Sequence, residues 1–393
     1  MSRPIYPMST TPPGRPVRST IDAVLRAAVA SGAVPNVVAV AADDDGLIYE
    51  GAAGPRAVGD DEPVDADSTF RIASMTKTVC TVAALQQRDR GNLDFDAPVD
   101  AYVPEFSAVQ VLDGFADGTP RLRPPASRAT VRHLVTHTTG LAYGFWHSNL
   151  LRWDAATRPG SVFAAPMVAD PGTRFEYGIS TDWLGRVVEA TSGQSLDDYL
   201  SQHIFAPLAM TSTTFQPGGR QRARCVPVHV RDGSGHWVAT DVDWDPRPTY
   251  WPGGHGLYST PRDYLRFQRM LLNGGTLAGT TVLDQGSVRE AFTNQIGDLW
   301  FPALIPTADP ASSCDFAAGP GMKWGWGLLL DIHGRPGGHR AGSGGWIGVF
   351  NTYFWVDPVA GIAGALYSQF RPLATPEALK TYADFERAVY ADR

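Results

Sequence analysis

The sequence predicts an α/β fold of the α+β type, in which helices flank one antiparallel sheet and a mostly helical segment is inserted. Three observations support this prediction. Apolar, β-branched segments lie close to the N-terminus, and similar segments return in the last third of the chain. The residues between them are rich in helical patterns and turns. Strands from the two ends of such a chain can bury their apolar faces together in one sheet.

The individual elements follow from periodicity and from their end signals. Helices are predicted where apolar residues recur three and four apart and where a glycine or Ser-Gly pair follows, at residues 20–33, 74–90, 129–136, 181–190, 196–204 and 375–391. Strands are predicted where β-branched and aromatic residues cluster between turn residues, at residues 37–42, 46–51, 325–332, 348–356 and 361–368.

This order of elements predicts the domain organisation. Residues 19–80 and 205–393 are expected to form the sheet domain, and residues 81–204 the mostly helical domain, with an active site at their interface. Residues 1–18 are rich in Pro, Ser and Thr. They are expected to form a flexible tail, and they lack the apolar stretch of a secretory signal.

Composition excludes several classes of function. At 393 residues, with 43% hydrophobic and 19% charged residues, the chain is typical of a folded globular protein. A net charge of −7 and the absence of a basic run argue against nucleic-acid partners, and no apolar stretch is long enough to span a membrane. Cys80, Cys225 and Cys314 are widely spaced, so we expect neither a disulfide framework nor a cysteine zinc site. A reducing cytoplasm is the expected location.

Ser74-Met75-Thr76-Lys77 is the most informative motif. On a helix this spacing brings the hydroxyl and the amine to one face, about 5–6 Å apart at Cβ. A serine nucleophile needs an adjacent base, and lysine serves once burial lowers its pKa. Ser-x-x-Lys is a known alternative to the Ser-His-Asp triad. An ordinary helix start is the competing interpretation, although lysine is rare in this chain, which has Lys77, Lys323 and Lys380.

Two further features can complete such a site. Tyr177 follows a Pro-Gly turn and precedes a predicted helix, which places it on a loop, where catalytic groups often lie. Its phenol can relay a proton if a lysine cation stabilises the phenolate, although a core aromatic is the common alternative. The glycines of residues 342–349 let a strand approach a substrate closely, and a simple hairpin turn is the alternative there.

Four motifs in order carry a resemblance to a known family. They are Ser74-Met75-Thr76-Lys77, residues 132–141, Tyr177 and residues 253–260. With them the chain resembles the class C β-lactamase-like serine hydrolases, and more closely the family VIII carboxylesterases and the related statin side-chain acyltransferases. The similarity covers about residues 20 to 392. It implies the β-lactamase/penicillin-binding-protein fold.

The resemblance also implies roles for individual residues. Ser74 would be acylated, Lys77 would lower the barrier to proton transfer, and Tyr177 would be the general base. The oxyanion hole would use the backbone N–H groups of Ser74 and Val349.

The substrate-contacting positions depart from the β-lactamase pattern. Trp346-Ile347-Gly348 would replace the Lys-Thr-Gly strand, with a shift toward Ser343-Gly344-Gly345 left open, and Tyr177-Gly178-Ile179 replaces Tyr-x-Asn. A substrate carboxylate would lack its lysine partner, which favours an uncharged ester. The side chains and backbone expected to bind substrate are those of Tyr143, Phe145, Trp146, Trp251, His255, Trp346 and Gly348.

Together these features predict a serine carboxylesterase that hydrolyses short- to medium-chain acyl esters through a Ser74 acyl-enzyme, with acyl transfer to alcohols as a further outcome. A β-lactamase or small-amide or peptide hydrolase on the same fold is the first alternative, and a non-catalytic binding protein is the second. No cofactor or metal is expected. His133 and His137 have the spacing of a zinc-protease helix, but Leu134 stands where the catalytic glutamate would be. The oligomeric state is left open.

Overall fold

The computed structural model describes residues 15–391, with side chains from residue 18 onward. The helices are α1 (Arg15–Ala30), α2 (Thr76–Asp89), α3 (Val131–Val135), α4 (Ser148–Thr157), α5 (Ser180–Ser192), α6 (Leu196–Leu200), α7 (Gly219–Ala223), α8 (Pro261–Leu272), α9 (Gln285–Ala291) and α10 (Pro376–Tyr390). The strands are β1 (Val37–Asp43), β2 (Leu47–Ala53), β3 (Phe70–Arg71), β4 (Val111–Ala116), β5 (Thr119–Arg123), β6 (His229–Arg231), β7 (Trp237–Ala239), β8 (Tyr258–Ser259), β9 (Thr276–Leu277), β10 (Thr280–Thr281), β11 (Met322–Trp324), β12 (Leu329–Asp331), β13 (Ser343–Gly348), β14 (Thr352–Asp357) and β15 (Ile362–Tyr367).

Seven of these strands form one antiparallel sheet, in the order β11-β12-β13-β14-β15-β1-β2. The N-terminal strand β1 lies directly beside the last strand, β15, with Val38 opposite Tyr367 and Asp43 opposite Ile362. The helical segment between them is therefore inserted into the sheet, and the predicted fold class is confirmed. The finer domain boundaries, at residues 80 and 204, stay a prediction.

Alternate residues of β1 serve two different cores. Val37, Ala39 and Ala41 face the layer that contains α1 and α10, whereas the residues between them face the main core with α2 and α8. A strand buried on both faces has no polar positions, which explains the continuous apolar run in the sequence. Helices α8 and α10 both begin with a Thr-Pro pair, in which the threonine side chain accepts a backbone N–H of the first turn.

Several predicted boundaries were wrong. Helix α1 begins at Arg15, so it includes the end of the predicted tail, and residues 1–14 lie outside the described part. The hairpin of β4 and β5 interrupts the segment predicted to be mostly helical. Only β12 lies within the predicted strand at residues 325–332, and the predicted strand at 348–356 spans the turn between β13 and β14. Glycine-rich β13 has little β-propensity of its own, and pairing on both of its sides makes it a strand.

No helix between residues 15 and 391 has both the length and the apolar character that crossing a membrane requires.

Candidate active site

Ser74 lies in a single 3-10 turn, Ala73–Met75, directly before α2. Ala73 has a φ of +45°, an uncommon and strained conformation for a residue with a Cβ. Ser74 keeps 9% of its surface exposed, while Ala73 and Met75 on either side are completely buried. The strained turn thus holds one reachable hydroxyl at the N-terminal end of a buried helix.

Lys77 follows one turn later, and its side chain is almost completely buried. Its Nζ lies 3.2 Å from the Ser74 hydroxyl oxygen, 2.9 Å from the Tyr143 hydroxyl and 2.7 Å from the Gly254 carbonyl oxygen. Burial lowers the pKa of Lys77 to about 7, although the buried carboxylate of Asp182 acts in the opposite direction. A large fraction of Lys77 is therefore neutral near pH 7 and can accept the serine proton.

Tyr177 completes the group around the serine. Its ring lies over the Lys77 amine, 4.8 Å from Nζ to the ring centroid, and its hydroxyl accepts a 2.8 Å hydrogen bond from the Trp346 indole N–H. Burial raises the pKa of the Tyr177 phenol, although its hydrogen bonds with Ser74 and Trp346 act to lower it. In this arrangement the phenol holds its proton, whereas the lysine amine is free to gain one.

The end of strand β13 meets the Ser74 turn. A Cβ on Gly348 would lie 2.5 Å from the Ile72 carbonyl oxygen and 3.3 Å from the Ala73 Cβ, so only glycine allows this approach. Val349, the next residue, packs in the small cluster that contains Ala73. The Ser74 N–H belongs to the first turn of a helix, where such groups have no partner within the turn. The two N–H groups predicted to form the oxyanion hole are thus on adjacent segments.

Aromatic side chains surround this group. Tyr143 stacks on Phe145 at 5.1 Å, and the Trp146 ring lies 5.4 Å from the Tyr177 ring. Trp346 packs on Tyr177 at 4.8 Å, which supports the register that places Trp346, and not Ser343, at the site. The ring of Trp251 lies 5.4 Å from that of Phe215, which is not one of the aromatic residues around Ser74. The place of Trp251 in the substrate pocket therefore stays a prediction.

The amino-acid sequence of the chain matches the Beta-lactamase family over residues 21–389. The chain belongs to this family. It is 33% identical to monacolin J acid methylbutanoyltransferase from Aspergillus terreus, over 94% of this chain and 95% of the relative. It is also 33% identical to lovastatin esterase from Penicillium rubens, over 67% and 71% of the two chains. The solved structure of a mutant simvastatin synthase from Aspergillus terreus superposes with a TM-score of 0.83, at 31% identity, over 95% of this chain and 96% of that one.

These comparisons confirm the predicted superfamily and its acyltransferase and esterase branch. Both of these relatives are named as enzymes, one an acyltransferase and the other an esterase. Similarity to them supports the assignment of this Beta-lactamase family member as a serine hydrolase or acyltransferase.

Three members of the site were missed or misread from the sequence. Tyr143 was expected only in the substrate pocket, but its hydroxyl contacts Lys77. The Gly254 carbonyl and the Asp182 carboxylate had no assigned role, although Gly254 lies within one of the four family motifs.

His255 lies 3.7 Å from Asp182, from Nδ1 to Oδ1, and keeps part of its side chain exposed, as a substrate contact requires. The available signal for Asp182 was an aspartate directly before apolar Trp183 and Leu184 in a predicted helix, because charged residues are seldom placed among core positions.

His133 and His137 do not share a helix face, because α3 ends at Val135. His137 instead packs beneath the site, with its ring 4.8 Å from that of Tyr177, and burial lowers its pKa well below the usual value. A neutral aromatic ring in this position supports Tyr177 by packing.

Two cavities border the site. One, of about 360 Å³, is lined by Tyr143, Ile179, Leu150 and Val162 among others. The other, of about 160 Å³, lies beside His255 and Trp244. A cavity of about 390 Å³ lies on the opposite face of the sheet beside α10 and shares only Trp346 with the group around Ser74, so it is not part of the catalytic site.

Proposed function

We propose that this protein is a serine carboxylesterase of the family VIII type that acts on uncharged, short- to medium-chain acyl esters, and that it also transfers the acyl group to alcohols. The single observation that carries the proposal is the buried Lys77 amine in contact with Ser74, together with the Tyr177 phenol beside both. This arrangement supplies a nucleophile, a base of suitable pKa and a proton relay.

The geometry supports the following sequence of steps. The Ser74 hydroxyl gives its proton to the neutral Lys77 amine as its oxygen attacks the ester carbonyl. The resulting Lys77 ammonium passes a proton, through the Tyr177 phenol, to the departing alcohol oxygen, which leaves Ser74 acylated. Water or an acceptor alcohol then attacks the acyl-enzyme by the reverse of these transfers. The resemblance assigns the base to Tyr177; we propose that Lys77 is the first proton acceptor, because burial disfavours the phenolate and favours the neutral amine.

The tetrahedral intermediate carries a negative charge on the former carbonyl oxygen. The backbone N–H groups of Ser74 and Val349 are proposed to donate to it, since Gly348 brings the β13 end against the Ser74 turn. One donor of this kind contributes about 10²–10³-fold to the rate in other serine hydrolases.

The preference for an uncharged ester rests on two substitutions in the site. Trp346 is buried and donates to Tyr177, and the resemblance assigns it the place in which a lysine would pair with a substrate carboxylate. Ile179 lines the cavity beside Tyr143 in place of an amide side chain. An apolar acyl chain in this cavity loses no polar partner on binding, whereas a carboxylate would be desolvated without one.

Acyl transfer is supported by the name of one relative, a methylbutanoyltransferase, and ester hydrolysis by the name of another, an esterase of lovastatin. Both outcomes share the acyl-enzyme and differ only in the second nucleophile. An apolar, partly closed site, in which Ser74 is only 9% exposed, lets an alcohol compete with water.

Turnover of p-nitrophenyl butyrate by the wild type, Ser74→Ala and the control Ser107→Ala tests the proposal. We expect Ser74→Ala to lose at least about 1,000-fold in rate, and Ser107→Ala, which changes an exposed hydroxyl, to match the wild type. Intact mass spectrometry should show the butyryl adduct in the wild type only, and added alcohol should divert it to a new ester. Undiminished turnover by Ser74→Ala would contradict the proposal, and nitrocefin turnover equal to ester turnover would favour a lactam hydrolase instead.

A further inference from the structure

Asp182 is a buried carboxylate next to the catalytic group, and the mechanism above assigns it no role. It lies in the first turn of α5, which follows the Tyr177 loop, and its side chain is completely inaccessible to solvent. A carboxylate removed from water is costly unless other groups compensate it. The groups around Asp182 should therefore indicate its role.

The partners of Asp182 are few. Oδ1 accepts the backbone N–H of Gly254 at 3.1 Å and lies 3.7 Å from His255 Nδ1. Within residues 15–391, no hydrogen bond reaches Oδ2. No arginine or lysine contacts it directly in this part of the chain. Asp182 is thus incompletely satisfied, as expected of a group retained for a purpose other than stability.

Gly254 links Asp182 to Lys77. Its N–H is held by Asp182 while its carbonyl oxygen accepts the 2.7 Å hydrogen bond from Lys77 Nζ. A Cβ on Gly254 would lie 2.3 Å from Asp182 Oδ2, and a Cβ on Gly253 would lie 2.7 Å from the Thr181 carbonyl oxygen. The two glycines therefore let this loop lie directly against the start of α5, which sets the position of the Gly254 carbonyl.

The carboxylate also acts on Lys77 through space. Asp182 is the foremost group that favours the charged form of Lys77 against burial. The other titratable side chains that face or lie near this amine are Cys80 on α2, Tyr143, Tyr177, His137 and His255. Burial keeps the two histidines neutral, because it lowers the pKa of each. Asp182 is therefore the anion that can balance a positive charge on Lys77 when the serine proton arrives.

We propose that Asp182 is a positioning residue of this active site, which holds the Gly254 carbonyl against Lys77 and supplies the counter-charge to Lys77 while it carries the proton from Ser74. The proposal rests on the proposed function, since it requires Lys77 to gain and lose a proton. Asp182 touches no reacting atom, and it acts through Gly254 and through its charge.

Asp182→Asn separates the two contributions. The amide oxygen can still accept the Gly254 N–H, but the charge is lost, so the lysine is protonated less readily. We expect kcat for p-nitrophenyl butyrate to fall roughly tenfold or more, with KM little changed. The acidic limb of the pH profile should move to lower pH by at least about half a unit, because loss of the anion lowers the pKa of Lys77.

Asp182→Glu is the complementary variant. It keeps the charge but is too long for the same contact with Gly254, so kcat should fall while the acidic limb stays near its wild-type position. Asp263→Asn is the matched control, because Asp263 is a buried carboxylate in the first turn of α8 that holds the backbone N–H of Ser212 in the same way. It should lower Tm without moving the pH profile.

The outcomes decide between a positioning and a merely structural role. An Asp182→Asn profile that superimposes on the wild-type profile, with only a lower Tm, would overturn the proposal. If Asp182→Asn does not fold, a wild-type kcat in Asp182→Glu would overturn it equally. The result for Ser74→Ala distinguishes this from failure of the proposed function: if that variant retains ester turnover, the function is wrong, and if it does not, only the role of Asp182 is in question.

Discussion

The indole N–H of Trp346 donates a 2.8 Å hydrogen bond to the hydroxyl oxygen of Tyr177, and the two rings pack at 4.8 Å. One residue of strand β13 thereby fixes the phenol that lies beside Ser74 and Lys77. Burial raises the pKa of the Tyr177 phenol, and the bond from Trp346 acts in the opposite direction. On the proposed mechanism, the tryptophan therefore acts through Tyr177 as well as by excluding a charged substrate.

Trp346→Phe removes this hydrogen bond but keeps an aromatic ring. We expect kcat for an uncharged ester to fall roughly 5- to 10-fold, since a net hydrogen bond contributes about 1 kcal/mol. Trp237→Phe is the control, because the Trp237 indole also donates one bond, to the Gly32 carbonyl oxygen, in a different part of the fold. That control should change Tm and leave kcat unaltered; equal losses of kcat in both variants would contradict the assigned link.

The pH dependence of the wild type should follow Lys77. The amine must be neutral to accept the serine proton, and burial lowers the pKa of Lys77 to about 7. We therefore expect kcat/KM for p-nitrophenyl butyrate to rise as the pH rises through about 7. Lys77→Met should lose at least about 1,000-fold. A profile that is flat between pH 5.5 and 8.5 would exclude Lys77 as the titrating base.

Gly348→Ala should distinguish an effect on the proposed oxyanion hole, seen in kcat, from an effect on the stability of the fold. The added methyl would lie 2.3 Å from the Thr352 hydroxyl oxygen and 2.5 Å from the Ile72 carbonyl oxygen, which pushes the β13 end away from the Ser74 turn. Overpacking of this kind costs about 1–3 kcal/mol, and we expect kcat to fall about 100-fold in addition. In the matched variant Gly344→Ala, on the same strand, the three atoms nearest to the methyl would all belong to side chains, at 3.0–3.2 Å. That variant should lose stability with little loss of kcat, as measured well below Tm.

A buried histidine in another part of the molecule makes stability depend on pH. His339 lies between Glu386 on α10 and Asp331 on β12. Although burial opposes the charged imidazole, the hydrogen bonds with Asp331 and Glu386 raise the pKa of His339 to about 9. Because this folded-state pKa lies above the unfolded value near 6.5, the stabilisation is fully present below about pH 6.5. It is lost as the pH rises through about 9.

Comparison of the wild type with His339→Gln isolates this contribution. Below pH 6.5 the wild type should be more stable by up to about 3 kcal/mol, and the difference between their free energies of unfolding should shrink between pH 6.5 and 9.5. Chemical denaturation across this range measures it. A difference that is constant with pH would show that His339 is not charged in the native state.

Short-range patterns in the sequence were sufficient for the overall fold and for the central pair. On a helix, the spacing in Ser74-Met75-Thr76-Lys77 places the serine and the lysine next to each other, because residues three apart share a face. The apolar runs of β1 and β15 likewise required burial, and pairing with each other satisfied them. The four ordered motifs then identified Tyr177, on a loop whose position cannot be read from local periodicity.

Contacts between distant segments were decided only by the tertiary structure. Tyr143 and Gly254 lie 66 and 177 residues from Lys77 along the chain, yet both contact its amine. The burial that lowers the pKa of Lys77 exists only once α2, α5 and the surrounding loops have packed. Residue types and local spacing are encoded along the chain and can be read directly. Desolvation, close approach at glycine and the placement of Asp182 against Gly254 arise from packing in three dimensions, and these turn a serine and a lysine into a candidate catalytic pair.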